Sequence, residues 1–542
     1  MADIADARKT GSASLHNEHA GIEPEKGLGR QAADDETAAY AAGSPVAIDK
    51  ATNRRLFWQI TRRILVCMLG TYFCQSLDKG TLGFSSIMGI QEDAGLDGNK
   101  YNWLGTILYI GVLVGEYPTN FLLQKLPVAK YLAGNVFLWG VVIMCSAAAT
   151  NFPGLMAVRF LLGVFESCVQ PAFIIMTAMW FTREEQTILT SLWYCMTGVQ
   201  LMIGGILAWG TSHYIGHHIK SWQLLFLVLG AATCAWGLFL GWYLPDSPMK
   251  AKCFSEEDKR LMVERVRVND TGIQNKQFKK YQLHEALTDP IVWLYVLLQL
   301  CSTLIIGGLG VFSNIIIKSF GFTTLQTQLL NIAQGAVTIA VMVGGASLAT
   351  WSRRTVFVMH LWTLYVLPLT SFKFPLPRIP SSSVPPGRFV NLTKSDSPAI
   401  AGTAVIYSIS PTPSTRVGLL IAFYCTQFIL AEGNLLFSLI SRNVAGQTKK
   451  STVLALTFIA WAAGNATAPQ IFQSSDAPRY AKGFTAHFCL YGLFNVLLVA
   501  IRLLYIWRNR QKRSVRGEGE RDHANAFLDL TDRENVDFQY VY

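Results

Sequence analysis

The sequence predicts an all-α polytopic membrane protein with twelve transmembrane helices in two six-helix halves. Three observations carry this. Of 542 residues, 51% are hydrophobic and 15% charged, against about 25% charged in a typical soluble domain. Apolar runs repeatedly reach the roughly 20 residues that cross a hydrocarbon core. The basic residues gather at the ends of those runs, in alternate loops.

Taken in order, the spans fall near 62–90, 101–122, 129–149, 154–180, 187–212 and 222–244, then 291–317, 325–350, 354–364 continuing at 399–411, 416–440, 450–472 and 484–507. Residues 1–56 are polar, lack the apolar core of a signal peptide and read as a disordered cytosolic tail. The first half occupies 57–245 and the second 291–508. Between them, 246–290 is a central loop whose "SEEDKRLMVERVRVND" has the apolar spacing of a short amphipathic helix. Residues 509–542 form a second polar, charged tail. Arg62, Arg63, Lys125, Lys130, Arg183, Arg353, Arg354, Arg442, Lys449, Lys450 and the run Arg508–Arg513 all fall on one side, which the positive-inside rule assigns to the cytosol together with both termini. The net charge of +11 is therefore a topology signal and gives no reason to expect nucleic acid. Most of the ten cysteines lie inside apolar spans and no CxxC occurs, so no disulfide is expected.

The ninth span is interrupted. Residues 365–398 hold Pro368, Pro375, Pro377, Pro380, Pro385, Pro386 and Pro398 with Lys373, Arg378, Arg388 and Lys394. No helix tolerates that proline density, and no lipid-facing loop is allowed at that depth. The stretch is either an insertion looping from the outer end or translated intron sequence, the favoured reading because the flanking halves would join into one span. The sequon at Asn391 has meaning only for a true insertion.

Charges inside spans carry the functional signal. A charge at mid-bilayer costs about 2.5–3.5 kcal/mol on insertion scales, yet the first span holds Asp78 beside Lys79 and the fourth holds Arg159 and Glu166. Seven helical steps bring Arg159 and Glu166 within about 20° of one face, about 10.5 Å apart along the axis. Such a cluster points to a polar cavity between spans. A structural ion-pair network that locks helices together is the alternative. Among uncharged or isolated polar residues, Gln200, Asn314, Glu432 and Asn434 are candidates to line the cavity, with Tyr109 and Gln170 weaker. Each alone is also explained by an interhelical hydrogen bond.

The segments "LDKGTLGFSSIMGI", "RFLLGVFES", "PAFIIMTAMWFTREEQ", "YLPDSP" and "DAPRYAKGFTAHF" resemble the anion:cation symporter family of the major facilitator superfamily, and within it the fungal allantoate permease group. The resemblance runs from Phe57 to Arg513 outside the interruption. It implies a major facilitator fold and proton-coupled import of a small organic anion such as allantoate, ureidosuccinate, nicotinate or a related vitamin or nitrogen source. In related bacterial sugar-acid symporters, an Asp-Arg pair and an Arg with a Glu seven residues later serve binding and coupling. They match Asp78, Lys79, Arg159 and Glu166. Lys79 departs from that pattern, replacing a planar fork with a point charge.

Asp78 and Glu166 are accordingly expected to carry the proton, and Arg159 the substrate anion with Lys79 in support. A carboxyl group in a poorly hydrated site holds a proton near neutral pH, and its protonation frees a neighbouring cation for an anion. No cofactor is expected beyond the proton gradient. The expected setting is the plasma membrane, with a monomeric protein. A sensor that binds the same anion without transporting it is the alternative. No Ser-His-Asp, HExxH or phosphate-loop constellation supports an enzyme. His213 and His217 have zinc-like spacing but no partner nearby, so no metal is expected. Lys125 and Lys130, in the second-to-third loop, are either gating residues or positive-inside anchors.

Overall fold

The computed structural model describes residues 48–541 apart from 215, 217, 268–278, 353, 365–397, 478 and 517–529. Ten helices among these are long and apolar enough to cross a membrane. They correspond to spans two to eight and ten to twelve, from Lys100–Leu123 to Ala481–Ser514. The first span is Val66–Ser85, entered through Lys50–Ile60 and a π-helical turn at Thr61–Leu65. The helix thus begins inside the expected tail, where Asp49 accepts hydrogen bonds from the Ala51 and Thr52 amides and satisfies two orphan donors. The ninth span appears as two short helices, Thr355–Leu364 and Pro398–Ser408, which touch each other and the twelfth span. The proline-rich stretch between them, with Asn391, lies outside the described residues.

Helix starts follow from local chemistry. Asn151 caps the fourth span through the Gly154 amide, with proline in its first turn. Asp289 caps the seventh ahead of Pro290, and Thr182 with Glu185 forms a capping box for the fifth. Two spans are broken in mid-course. The fourth turns at Ser167 and Cys168 between Phe152–Glu166 and Val169–Trp180, and the tenth passes through a 3-10 segment at Gln427–Ile429.

Within the first half, the third span packs on the sixth and the second on the fourth. The second–fourth crossing depends on glycine: a Cβ on Gly163 would stand 2.0 Å from the Leu108 carbonyl oxygen, and one on Gly111 would stand 2.3 Å from that of Phe160. The halves meet where the fifth span crosses the eighth at Gly198 and Gly335, and where the second and seventh meet the eleventh and first. Hydrogen bonds joining the halves gather at the face opposite the central loop. Tyr101 donates to the Val311 carbonyl at 3.1 Å, Asn102 to that of Phe472 at 2.6 Å, Thr106 to that of Ala466 at 2.7 Å and Gln328 to that of Phe84 at 3.3 Å. Phe312 stacks on Phe472 beneath them, 5.1 Å between centroids.

On the loop face, each half holds its own piece of the central loop. The expected amphipathic helix is present as Glu256–Arg267, and it is tied to the first half by Arg55–Asp258 at 2.6 Å and by Arg265 to Asn53 and Glu185. The helix Lys280–Thr288 belongs to the second half. The twelfth helix continues to Arg516, and residues 530–541 fold back onto the loop-side ends of spans ten, eleven and twelve. Lys449 meets Glu285, Asp289 and Asp532 at 2.7–2.9 Å, while Arg508 grips Asp289 at 2.5 and 3.1 Å. Burial alone would raise the Asp289 carboxyl, but Arg508 and Lys449 hold it down at about 2. Asn443 exchanges two hydrogen bonds with Val541, and Tyr540 stacks on Tyr505.

Candidate functional site

Asp78 and Lys79 are successive residues on one helix, so their side chains leave it about 100° apart. Asp78 points into the first half's own bundle and is 1% exposed. Its Oδ2 accepts from Trp139 Nε1 of the third span at 2.9 Å and from Thr233 Oγ1 of the sixth at 3.1 Å. Its Oδ1 has no hydrogen-bond partner. Lys79 points the other way, toward the fourth span and the interface between halves. Its Nζ lies 3.4 Å from Glu166 Oε2, with the lysine side chain 22% exposed and the glutamate closed off.

The local fold sets up that pair. The fourth span breaks immediately after Glu166, and the Glu166 carbonyl accepts from Gln75 Nε2 of the first span at 3.1 Å. Glu166 Oε1 is buried without a partner. Arg159 lies on the same helix and is 2% exposed, as its spacing from Glu166 requires. Its guanidinium lies 5.9 Å from the Phe226 ring centroid, and Nη2 is buried with no hydrogen-bond partner. The four charges are not all paired with one another. One ion pair, Lys79–Glu166, faces the interface. Asp78 is held by neutral donors, and no salt bridge involving Arg159 is found among the described residues.

Two of the uncharged candidates flank the same stretch of the first span. A methyl group on Gly80 would meet Gln200 Oε1 at 2.9 Å, and one on Gly83 would meet Asn314 Nδ2 at 3.6 Å. Asn314 Oδ1 in turn accepts from Asn331 Nδ2 of the eighth span at 2.8 Å. Glu432 follows the 3-10 break of the tenth span, fully buried, with neither carboxylate oxygen partnered. Asn434 lies on the same helix and its side chain is outside the described residues.

Several residues that the sequence reading passed over belong here. Trp461 of the eleventh span presents its ring to Lys79, centroid 5.8 Å from Nζ, and meets Tyr109 edge-on at 5.7 Å. Ser313, Gln334 and Gln427 form a polar chain through the second half, at 3.0 and 3.4 Å. Two nearby candidates have ordinary local roles. Lys130 bonds Asp246 and the Gly241 carbonyl, tying the third span to the end of the sixth. His213 Nδ1 lies 2.9 Å from the Trp209 carbonyl oxygen, and His217 is outside the described residues.

Known proteins give this arrangement a context. The model of the Major Facilitator Superfamily matches residues 68–469. An allantoate permease of Saccharomyces cerevisiae is 31% identical over 513 residues, covering 92% of this chain and 88% of its own. The thiamine pathway transporter THI73 of the same yeast is 32% identical over 490 residues, covering 88% and 84%. An uncharacterised transporter of Schizosaccharomyces pombe is 34% identical over 493 residues, covering 90% and 87%. Among solved structures, a bacterial homologue of the human lysosomal transporter Spinster aligns with a TM-score of 0.57 at 14% identity, over 81% of this chain and 95% of that one.

Proposed function

Because the chain belongs to the Major Facilitator Superfamily and is a membrane transporter, we propose that it imports a small organic carboxylate together with protons, by alternating access. The observation that carries this reading is the unequal pairing of the intramembrane charges. Two buried carboxyl groups, Asp78 and Glu166, and two cations, Lys79 and Arg159, lie in one half, and only Lys79 is open to the interface. An intramembrane site of this kind marks a substrate or proton pathway, and the superfamily's sites lie near the midplane where the halves meet.

In this reading the anion reaches Lys79 first. While Glu166 is charged it competes for that ammonium. Protonation of Glu166 removes the competition and leaves Lys79 free for the carboxylate, so proton and anion travel together. Asp78 is the second proton carrier, in contact with the third and sixth spans. Arg159 keeps the site positive and offers a buried donor that lacks a partner. Gln200 and Asn314 lie where they can orient the substrate's polar groups, and Glu432 and Asn434 are assigned to the second half's part of the cavity. The allantoate permease relative supports a small organic carboxylate as cargo. The protein works as a monomer in the plasma membrane with both termini in the cytosol.

The test is uptake of labelled allantoate and nicotinate into proteoliposomes under an imposed pH gradient. Uptake should collapse with a protonophore and lose saturation in Arg159→Ala. Saturable binding with no accumulation under any gradient identifies a sensor instead. Accumulation indifferent to the protonophore overturns proton coupling.

A further inference from the structure

We propose that Trp461 selects the shape of the substrate, favouring carboxylates whose acid group is attached directly to a flat, conjugated body. The inference rests on the reading that Lys79 receives the anion.

Lys79 is the one intramembrane cation of the four-residue set with an open side chain, 22% exposed, against 2% for the Arg159 residue. Its ammonium has three donors and one ion-pair partner, Glu166, on its buried side. Trp461 stands next to it, with the indole centroid 5.8 Å from Nζ. The indole is flanked by two rings. Tyr109 abuts it at 5.7 Å and 80°, and Phe458, one turn earlier on the same helix, packs at 5.2 Å and 32°.

This geometry reads a ligand in two parts. The face of an indole carries negative charge density, so it repels a carboxylate and directs it to the ammonium. The body of the ligand is then left against the indole. A flat π-system can stack there in an offset manner, a contact worth about 1 kcal/mol beyond burial, or about fivefold in affinity. A puckered saturated ring of equal charge and size gains burial but no stack. Lys79 belongs to the first half and Trp461 to the second, so a ligand that satisfies both bridges the two bodies that move in alternating access. Shape is thereby read at the step that commits the substrate.

The experiment measures binding of benzoate and cyclohexanecarboxylate to the purified full chain by calorimetry, in the wild type, Trp461→Leu, Trp461→Phe and Lys79→Gln. The wild type should prefer benzoate. Trp461→Leu should cut that preference by roughly fivefold while leaving cyclohexanecarboxylate within about twofold, and Trp461→Phe should restore most of it. Equal weakening of both acids in Trp461→Leu, or an unchanged preference, overturns the proposal. Loss of both acids in Lys79→Gln with no change in Trp461→Leu removes Trp461 alone. Unchanged benzoate affinity in Lys79→Gln removes the anion role of Lys79 and this proposal with it. Melting curves of each variant separate misfolding from lost recognition.

Discussion

Lys79 Nζ and Glu166 Oε2 stand 3.4 Å apart across the first and fourth spans, the lysine open to the interface and the glutamate sealed. Removing one partner of a buried pair typically costs about 3–5 kcal/mol, because the other charge stays buried and unmatched. Glu166→Gln should therefore act on more than stability. It fixes Lys79 in its uncontested state, so exchange of labelled for unlabelled anion should persist while pH-driven accumulation is lost. Proteoliposome assays with and without a gradient separate the two. If accumulation still rises with external acidity, Glu166 is not the proton carrier.

Asp78 calls for a different substitution argument. Asn at this position keeps an oxygen to accept from Trp139 and Thr233 and removes only the charge. Asp78→Asn should melt close to the wild type yet lose pH-driven uptake. Trp139→Phe should do the reverse at first order, destabilising the bundle by about 1–3 kcal/mol through the unsatisfied carboxyl group. A melting series alongside uptake distinguishes charge from packing.

Gly163 lies one turn before Glu166 on the fourth helix, where the second span leaves no space for a side chain. Gly163→Leu should push these spans apart, abolish uptake and lower the melting temperature, since overpacking costs about 1–3 kcal/mol or more. Gly134 of the third span has open space at its Cβ position. Gly134→Leu is the matched control and should transport normally. Equal loss in both variants would show that added bulk, not the crossing, is responsible.

The docked C-terminal segment predicts a pH signature. Asp289 is held at about 2, below its ordinary 3.8. A carboxyl group depressed by folding adds stability that is fully present above its unfolded value and disappears as pH falls through its folded one. The wild type should exceed Asp289→Asn by roughly 2–3 kcal/mol at neutral pH, and the excess should vanish between pH 4 and 2. Asn still caps the seventh helix, so the difference isolates the ion pairs. Deleting residues 530–542 should lower the melting temperature as well. An identical melting profile in the truncated chain would mean that the segment contributes no stability.

The four charges of the first and fourth spans were legible because charge is rare in apolar spans and costly to bury. The contrast between the Lys79–Glu166 pair at the interface and the buried Asp78 follows from the 100° step between Asp78 and Lys79, a periodicity available in the sequence. What lay across from them was not legible. Trp461 is one of 14 tryptophans, and nothing local marks it as facing Lys79 rather than lipid. The Ser313–Gln334–Gln427 chain uses uncharged residues from three separate spans, each of which looks like a routine helix contact alone. The C-terminal segment read as a tail because its residues are polar and charged. Asp532 becomes structural through Lys449 and Arg508, partners drawn from two helices, and through the Tyr540 hydroxyl. The central loop's amphipathic helix was visible because its signal is a local period.

The bonds that close the face opposite the central loop come chiefly from phenol, amide and hydroxyl groups to backbone carbonyls, with Lys318 at the rim. Neutral bonds of this kind are worth about 0.5–1.5 kcal/mol each and do not titrate near neutrality. Acidity and ionic strength on that side therefore have little direct purchase on these bonds. The carboxyl groups of Asp78 and Glu166 are buried deeper in the bundle, so this closure and the candidate proton sites rest on different chemistry.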